Sequence, residues 1–206
     1  MEIYENEHDQ VDAVKRFFAE NGKALVVGVI LGVGALVGWR YWNNHQADSA
    51  RGSSLNYENT VSAIRADQPQ TLTAAEKFAA DNKNTYGALA ALEVAQQYVD
   101  KNELDKAAAQ LSQGLAAASD ENLKAVINLR LARIQVQQKK ADDALKTLDT
   151  IKGEGFAAIV ADLRGEALLS KVEKAGARKA WQAGVDSKAS PALSEMMQMK
   201  INNLSV

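Results

Sequence analysis

ALEVAQQYVDKNELDKAAAQLSQGL, residues 91–115, places alanine at 95 and 107, leucine at 111 and glycine at 114. Two further stretches keep that spacing: INLRLARIQVQQKKADDALKTLDTIK (127–152) and VADLRGEALLSKVEKAGARKAWQAGV (160–185). In register, small residues pair as Ala95/Ala107, Ala132/Ala144 and Gly165/Ala177. Four positions on come Leu111, Leu148 and Trp181, and three beyond those Gly114, Ile151 and Gly184. Successive copies are offset by 37 and then 33 residues, bracketing the ~34-residue tetratricopeptide period.

The spacing has a physical reading. Two antiparallel helices pack closely where one side chain at the crossing is small, and a bulky residue one turn later fills the groove beside it. A single hairpin cannot cover its own apolar face, so copies stack. The polar segments DKNELD, QKKADD and KVEKAG are the expected turns within each hairpin, with Asn102 and Asp105 capping the helix that follows the first. A chance alignment in an unspecialised helical bundle would not keep three large residues in register. The aromatic expected in the first helix is present only as Tyr98, replaced by Gln135 and Leu168.

A fourth, weaker hairpin is expected ahead of these. Its first helix is SLNYENTVSAIRA, and Thr73-Ala74-Ala75-Glu76 reads as a capping box opening its second. Ala74 lies 33 residues before Ala107, with Phe78 one turn later. At the other end, Ser190-Pro191 starts a last helix, whose Leu193, Met196, Met197 and Ile201 cap the stack.

Composition agrees with an all-α chain. Of 206 residues only Pro69 and Pro191 are proline. Alanine, leucine, lysine, glutamate and glutamine dominate, residues that lose little rotamer freedom in helices. The net charge of −2 leaves no basic footprint for nucleic acid. Cysteine is absent, which fits an oxidising compartment without proving one and removes thiol nucleophiles and thiolate metal sites.

GKALVVGVILGVGALVGWRYW, residues 22–42, carries no charge between Lys23 and Arg40. Ala24–Trp42 is 19 residues, about 28 Å of helix against a hydrocarbon core of ~30 Å. Lys23 and Arg40 are placed to snorkel, and Trp39, Tyr41 and Trp42 suit the interface. A soluble core helix would show a polar face, and this one has none. An acidic N-terminal flank and large polar residues beyond the run do not fit a cleaved signal peptide. The segment therefore reads as a retained anchor. Its pairs Gly28/Gly32 and Gly34/Gly38 have the spacing that lets membrane helices approach, though single spans also carry glycine. Basic residues favour an inside N-terminus only slightly, through Lys15, Arg16 and Lys23. The expected organisation is a segment 1–22 with a short amphipathic helix carrying Val11, Val14, Phe17 and Phe18, a span 23–42, a helical stalk 43–54, and a repeat domain 55–206.

No catalytic constellation emerges. His8 and His45 flank the anchor on opposite sides, and Gly153 and Gly155 mark a helix boundary rather than a phosphate loop. Asp142/Asp143 and Asp120/Glu121 are solvated helix starts. No enzyme and no cofactor are expected. A helical solenoid offers instead a concave groove for proteins or peptides. Its candidate lining comes from first helices: Glu93, Gln96, Gln97, Asn128, Arg130 and Arg133. Ordinary solvated faces would look the same one residue at a time.

Taken together, MEIYENEHDQVDAVKRFFAENGKALVVGVILGVGALVGWRYW, the repeats and the closing PALSEMMQMKINNLSV resemble the YfgM family of ancillary SecYEG translocon subunits, over essentially the full length. The resemblance implies a single N-terminal anchor with a cytoplasmic N-terminus, and a tetratricopeptide-like domain on the periplasmic side of a bacterial inner membrane. It implies as partners the SecYEG channel, the periplasmic chaperone PpiD and translocating polypeptides, with no catalytic motif to carry over. The role implied is a scaffold that passes emerging polypeptides to chaperones. An envelope-stress regulator whose cytoplasmic tail holds a soluble signalling protein is the reading from a different class.

Overall fold

The computed structural model describes residues 7–65, 71–187 and 189–204. They form nine α-helices and one 3-10 turn, and no strand occurs among the described residues. Compactness divides the chain into two units, Met1–Gly52 and Ser53–Val206.

The first unit is helix throughout its described part. α1 runs from Glu7 to Arg65 as one 59-residue element. The amphipathic stretch is thus not a short separate helix: Val11, Val14, Phe17 and Phe18 stand on the same helix as the apolar run. With no proline or chain reversal between them, nothing terminates the hydrogen-bond ladder. Gly22 and Gly52 do not break it either. The most apolar 18-residue window of α1 has a mean hydropathy of 1.9, none of it is buried, and α1 alone among the described helices is long and apolar enough to cross a membrane.

The second unit is an array of helical hairpins. α2 (Thr71–Asp81) is followed by α3 (Thr85–Asp100) and α4 (Leu104–Ala117), then α5 (Glu121–Gln137) and α6 (Ala141–Asp149). α7 (Ala157–Ser170) and α8 (Lys174–Val185) follow a 3-10 turn at Glu154–Phe156, and α9 (Pro191–Asn203) closes the array. α3/α4, α5/α6 and α7/α8 are the three registered hairpins, each packed on the next, with α7 also reaching α5. Ahead of them α2 packs on α3 and α4 rather than forming a comparably close hairpin with α1; at the end of α1, Val61 and Ile64 are buried, and Tyr57 and Phe78 pack against Ala79, Ala90 and Ala91.

The small/large code governs the hairpins. Ala95, Ala107, Ala132, Ala144 and Ala177 are all buried, as are Leu111 and Leu148, and Trp181 keeps only 1% of its surface exposed. The three turns are built alike. Asn102, Lys139 and Val172 take φ of 57°, 60° and 64°, and they sit one repeat apart. At each, the following amide bonds back to the carbonyl five residues earlier: Glu103 to Tyr98, Lys140 to Gln135 and Glu173 to Leu168. The residue itself bonds three back, to Val99, Val136 and Leu169. These paired bonds are the Schellman closure of a helix C-terminus. Asn102 therefore ends α3 rather than capping α4. Glu103 precedes α4 without a side-chain cap, and Asp105 instead accepts from Gln138 and Lys140. True side-chain caps occur at Asn84, Asp120 and Ser190, the last followed by proline as expected.

α2 departs from the expected register by one residue. It begins at Thr71, so Thr73 and Glu76 lie inside the helix, and the Glu76 carboxylate accepts a hydrogen bond from the Tyr98 hydroxyl. Ala74 is exposed, while Ala75 and Ala79 are buried against the neighbouring hairpin. Adjacent alanines make the two registers look equal until the neighbours are in place.

α9 seals the far end. Met197, Ile201 and Leu204 bury against Ala177 and Trp181, with Leu193 partly buried beside them. Lys200 bonds both Asp162 at 2.6 Å and Glu166 at 2.7 Å, and lies 5.7 Å from the centre of the Trp181 ring. A polar clasp thus fixes the cap on the last hairpin.

Candidate functional site

A trough of about 230 Å³ opens between α3 and α5, with Leu111 of α4 at its floor. α3 contributes Leu92, Ala95, Gln96 and Val99, and α5 contributes Arg130, Arg133, Ile134 and Gln137. Both sets follow the i, i+3, i+4, i+7 spacing of a single helix face. The floor is aliphatic and the rim is polar, as in sites that hold a side chain while reading a charge or a backbone.

Three of the six residues expected on the concave face line this trough: Gln96, Arg130 and Arg133. Gln96 is oriented by its hydrogen bond to Asp100 at 2.9 Å. Glu93 and Gln97 are half-buried on the same helix but lie outside the lining. Asn128 is not at the surface at all. It is only 8% exposed, and its amide donates to the Thr150 hydroxyl at 3.1 Å, tying α5 to the end of α6. Its polarity satisfies a buried junction rather than facing a ligand.

Sequence reasoning missed Leu92, Val99, Ile134 and Gln137 as lining, and assigned Ala95 and Leu111 to the helix crossing alone. The helical spacing on α3 and α5 carried their signal, but it could not say which apolar face turns to the core and which to a groove.

The neighbouring hairpin is firmly organised. The Tyr98 hydroxyl donates to Glu76, and Lys106 stands 5.2 Å from the Tyr98 ring centre while pairing with Glu103 at 2.5 Å. The hydrogen bond to Glu76, together with burial and the charges of Glu76 and Glu103, pushes the phenol up to about 12. The neutral hydroxyl is the form built into this contact.

In the first unit, Gly28, Gly32, Gly34 and Gly38 have open space where a Cβ would stand. Tyr41 and His45 stack with ring centres 6.4 Å apart. His8 belongs to α1, but its side chain lies outside the described residues. Among the described residues no three His, Asp or Glu side chains converge as metal ligands would.

Residues 15–206 match the tetratricopeptide repeat-like domain family. The chain is 79% identical to the ancillary SecYEG translocon subunit of Escherichia coli K12, over all of both chains. It is 35% identical to the Haemophilus influenzae protein of that name, covering 96% of this chain and 97% of the relative. It is 36% identical to the Buchnera aphidicola protein (subsp. Schizaphis graminum) of that name, covering 73% and 77%. No solved structure matches. Repeat turns that recur one copy apart, a bare apolar helix and these likenesses agree, and the chain belongs to the tetratricopeptide repeat-like family that includes the ancillary SecYEG translocon subunits.

Proposed function

We propose that this protein is a membrane-tethered interaction scaffold at the SecYEG translocon, linking emerging polypeptides to periplasmic chaperones such as PpiD. The observation that supports this reading is a wholly uncovered apolar stretch in α1, on a chain whose later helices form a repeat array. In water that stretch would expose contiguous aliphatic surface at large cost, and a bilayer removes the cost. Repeats carried on the same chain as such a helix are held at the membrane that the partner occupies. The names of the relatives supply the partner. The organisation that follows has residues 1–22 cytoplasmic, 23–42 in the inner membrane, 43–54 as stalk and 55–206 periplasmic. Gly28, Gly32, Gly34 and Gly38 provide the surface for packing against another membrane helix.

Single cysteines test the topology, since the chain has none of its own. With the outer membrane permeabilised, E20C is expected to resist an impermeant maleimide until lysis, whereas N203C labels at once. Photo-cross-linkers at Gln96 and Arg133 are expected to capture translocon components, PpiD or translocating chains. Adducts with none of these, or release of the protein by carbonate, would overturn the scaffold. A second reading, a regulator that holds a soluble signalling protein, draws on the exposed Val11, Val14, Phe17 and Phe18. Deleting residues 1–20 while keeping the anchor is expected to abolish that activity but leave scaffold complexes intact.

A further inference from the structure

We infer that the trough between α3 and α5 docks an acidic, partly apolar polypeptide segment through Arg130 and Arg133. The inference rests on the scaffold reading and names the kind of partner its repeats take.

The two guanidinium groups stand one turn apart on α5, both exposed, and among the described residues neither makes an ion pair or hydrogen bond. Other arginines of the array are engaged: Arg164 bonds Asp149 at 2.6 Å, and Arg178 donates to the Leu204 carbonyl at 3.2 Å. No carboxylate lines the trough, and those on the surrounding elements have partners other than these two arginines. Asp100 accepts from Gln96, Glu103 pairs with Lys106, Asp105 accepts from Gln138 and Lys140, and Glu121 pairs with Lys124. Glu93 is half-buried, has an interaction of its own and does not line the trough. The site therefore presents uncompensated positive charge over an aliphatic floor.

The register makes this trough distinct. The residues equivalent to Arg133 in the neighbouring copies are Gln96 and Glu166, and Glu166 is taken by Lys200. A basic pair occurs in the middle copy alone of the three. Guanidinium forks take carboxylates bidentately, the half-buried Val99 offers apolar contact, and the Gln137 amide can meet a peptide backbone. A volume of about 230 Å³ holds one or two side chains, which suits a short segment passing over the trough.

The test uses the full chain in uncharged detergent micelles and a fluorescein-labelled nonapeptide alternating leucine and glutamate, with its lysine counterpart as control. Anisotropy is expected to show the glutamate peptide binding at least tenfold more tightly, with the difference shrinking as salt rises. R130Q/R133Q is expected to equalise the two peptides, and R130E/R133E to invert the preference. Both positions are exposed, and circular dichroism verifies that the variants fold. Equal affinities in the unaltered chain, or an undiminished preference in R130E/R133E, overturn the inference. Loss of self-association in R130E/R133E with peptide binding unchanged would make the occupant a second copy, which also overturns it. Co-purification of the unaltered chain with SecYEG is scored in parallel. Its absence sinks the scaffold reading, whereas its presence beside a charge-blind trough sinks this inference alone.

Discussion

Trp181 occupies the space that a side chain on Gly165 would need: a Cβ there would lie 2.3 Å from the indole Nε1. The same indole nitrogen donates to the Asp162 carbonyl at 3.1 Å, so it cannot swing away freely. In the other two hairpins the corresponding pairs are Ala95 with Leu111 and Ala132 with Leu148. The largest residue faces the smallest.

That complementarity predicts a double-mutant cycle. G165A forces overpacking and is expected to cost about 2 kcal/mol. W181L alone leaves a void and loses the indole hydrogen bond. The pair G165A/W181L recreates the alanine–leucine combination of the other copies and should cost clearly less than the two single changes summed. Urea unfolding of the four proteins measures the coupling, and simple additivity would refute it.

Val172 is a β-branched residue at φ 64° and 78% exposed. It packs little that could offset a left-handed backbone. Replacing it with glycine or asparagine is expected to stabilise the last hairpin by about 1 kcal/mol. An unchanged or lower urea midpoint for both variants would contradict the strain at this turn.

Tyr98 carries a pH signature. Its hydroxyl titrates near 10.0 when unfolded and about 12 when folded. Between those values the folded chain keeps a proton that the unfolded chain releases, so stability falls as pH rises from 10 to 12. Y98F lacks this alkaline loss and, at neutral pH, is expected to cost about 1.5 kcal/mol through the missing bond to Glu76. The difference between the two proteins' urea midpoints across that pH window isolates the phenol from the lysines.

Lys200 clasps α9. Burial acts to lower its pKa, but the hydrogen bonds it donates to Asp162 and Glu166 outweigh it, and the net shift is upward. Stability from the charged clasp is therefore present below the ordinary lysine value of 10.5 and lost only as pH rises above it. K200M keeps the aliphatic stem but strands the buried Asp162 carboxylate, at an expected cost of about 3 kcal/mol. Hydrogen exchange should then quicken first in α9. K200M/D162N should recover part of the loss.

The sequence by itself determined the hairpins and the apolar helix, because each is written in local chemistry. Close helix crossings demand small residues such as Ala132 and Gly165 at fixed distance from bulky ones, and an uncharged run between Lys23 and Arg40 leaves few places to hide. Spacing also found the segments that became turns, though not that Asn102, Lys139 and Val172 would share one left-handed closure. Tertiary structure decided what depends on a neighbour. Whether Ala74 or Ala75 faces the next hairpin, whether Asn128 meets solvent or Thr150, and whether Arg130 and Arg133 find carboxylates all turn on side chains distant in sequence. Periodicity names a helix face, and only packing assigns that face to the core, to solvent or to a partner.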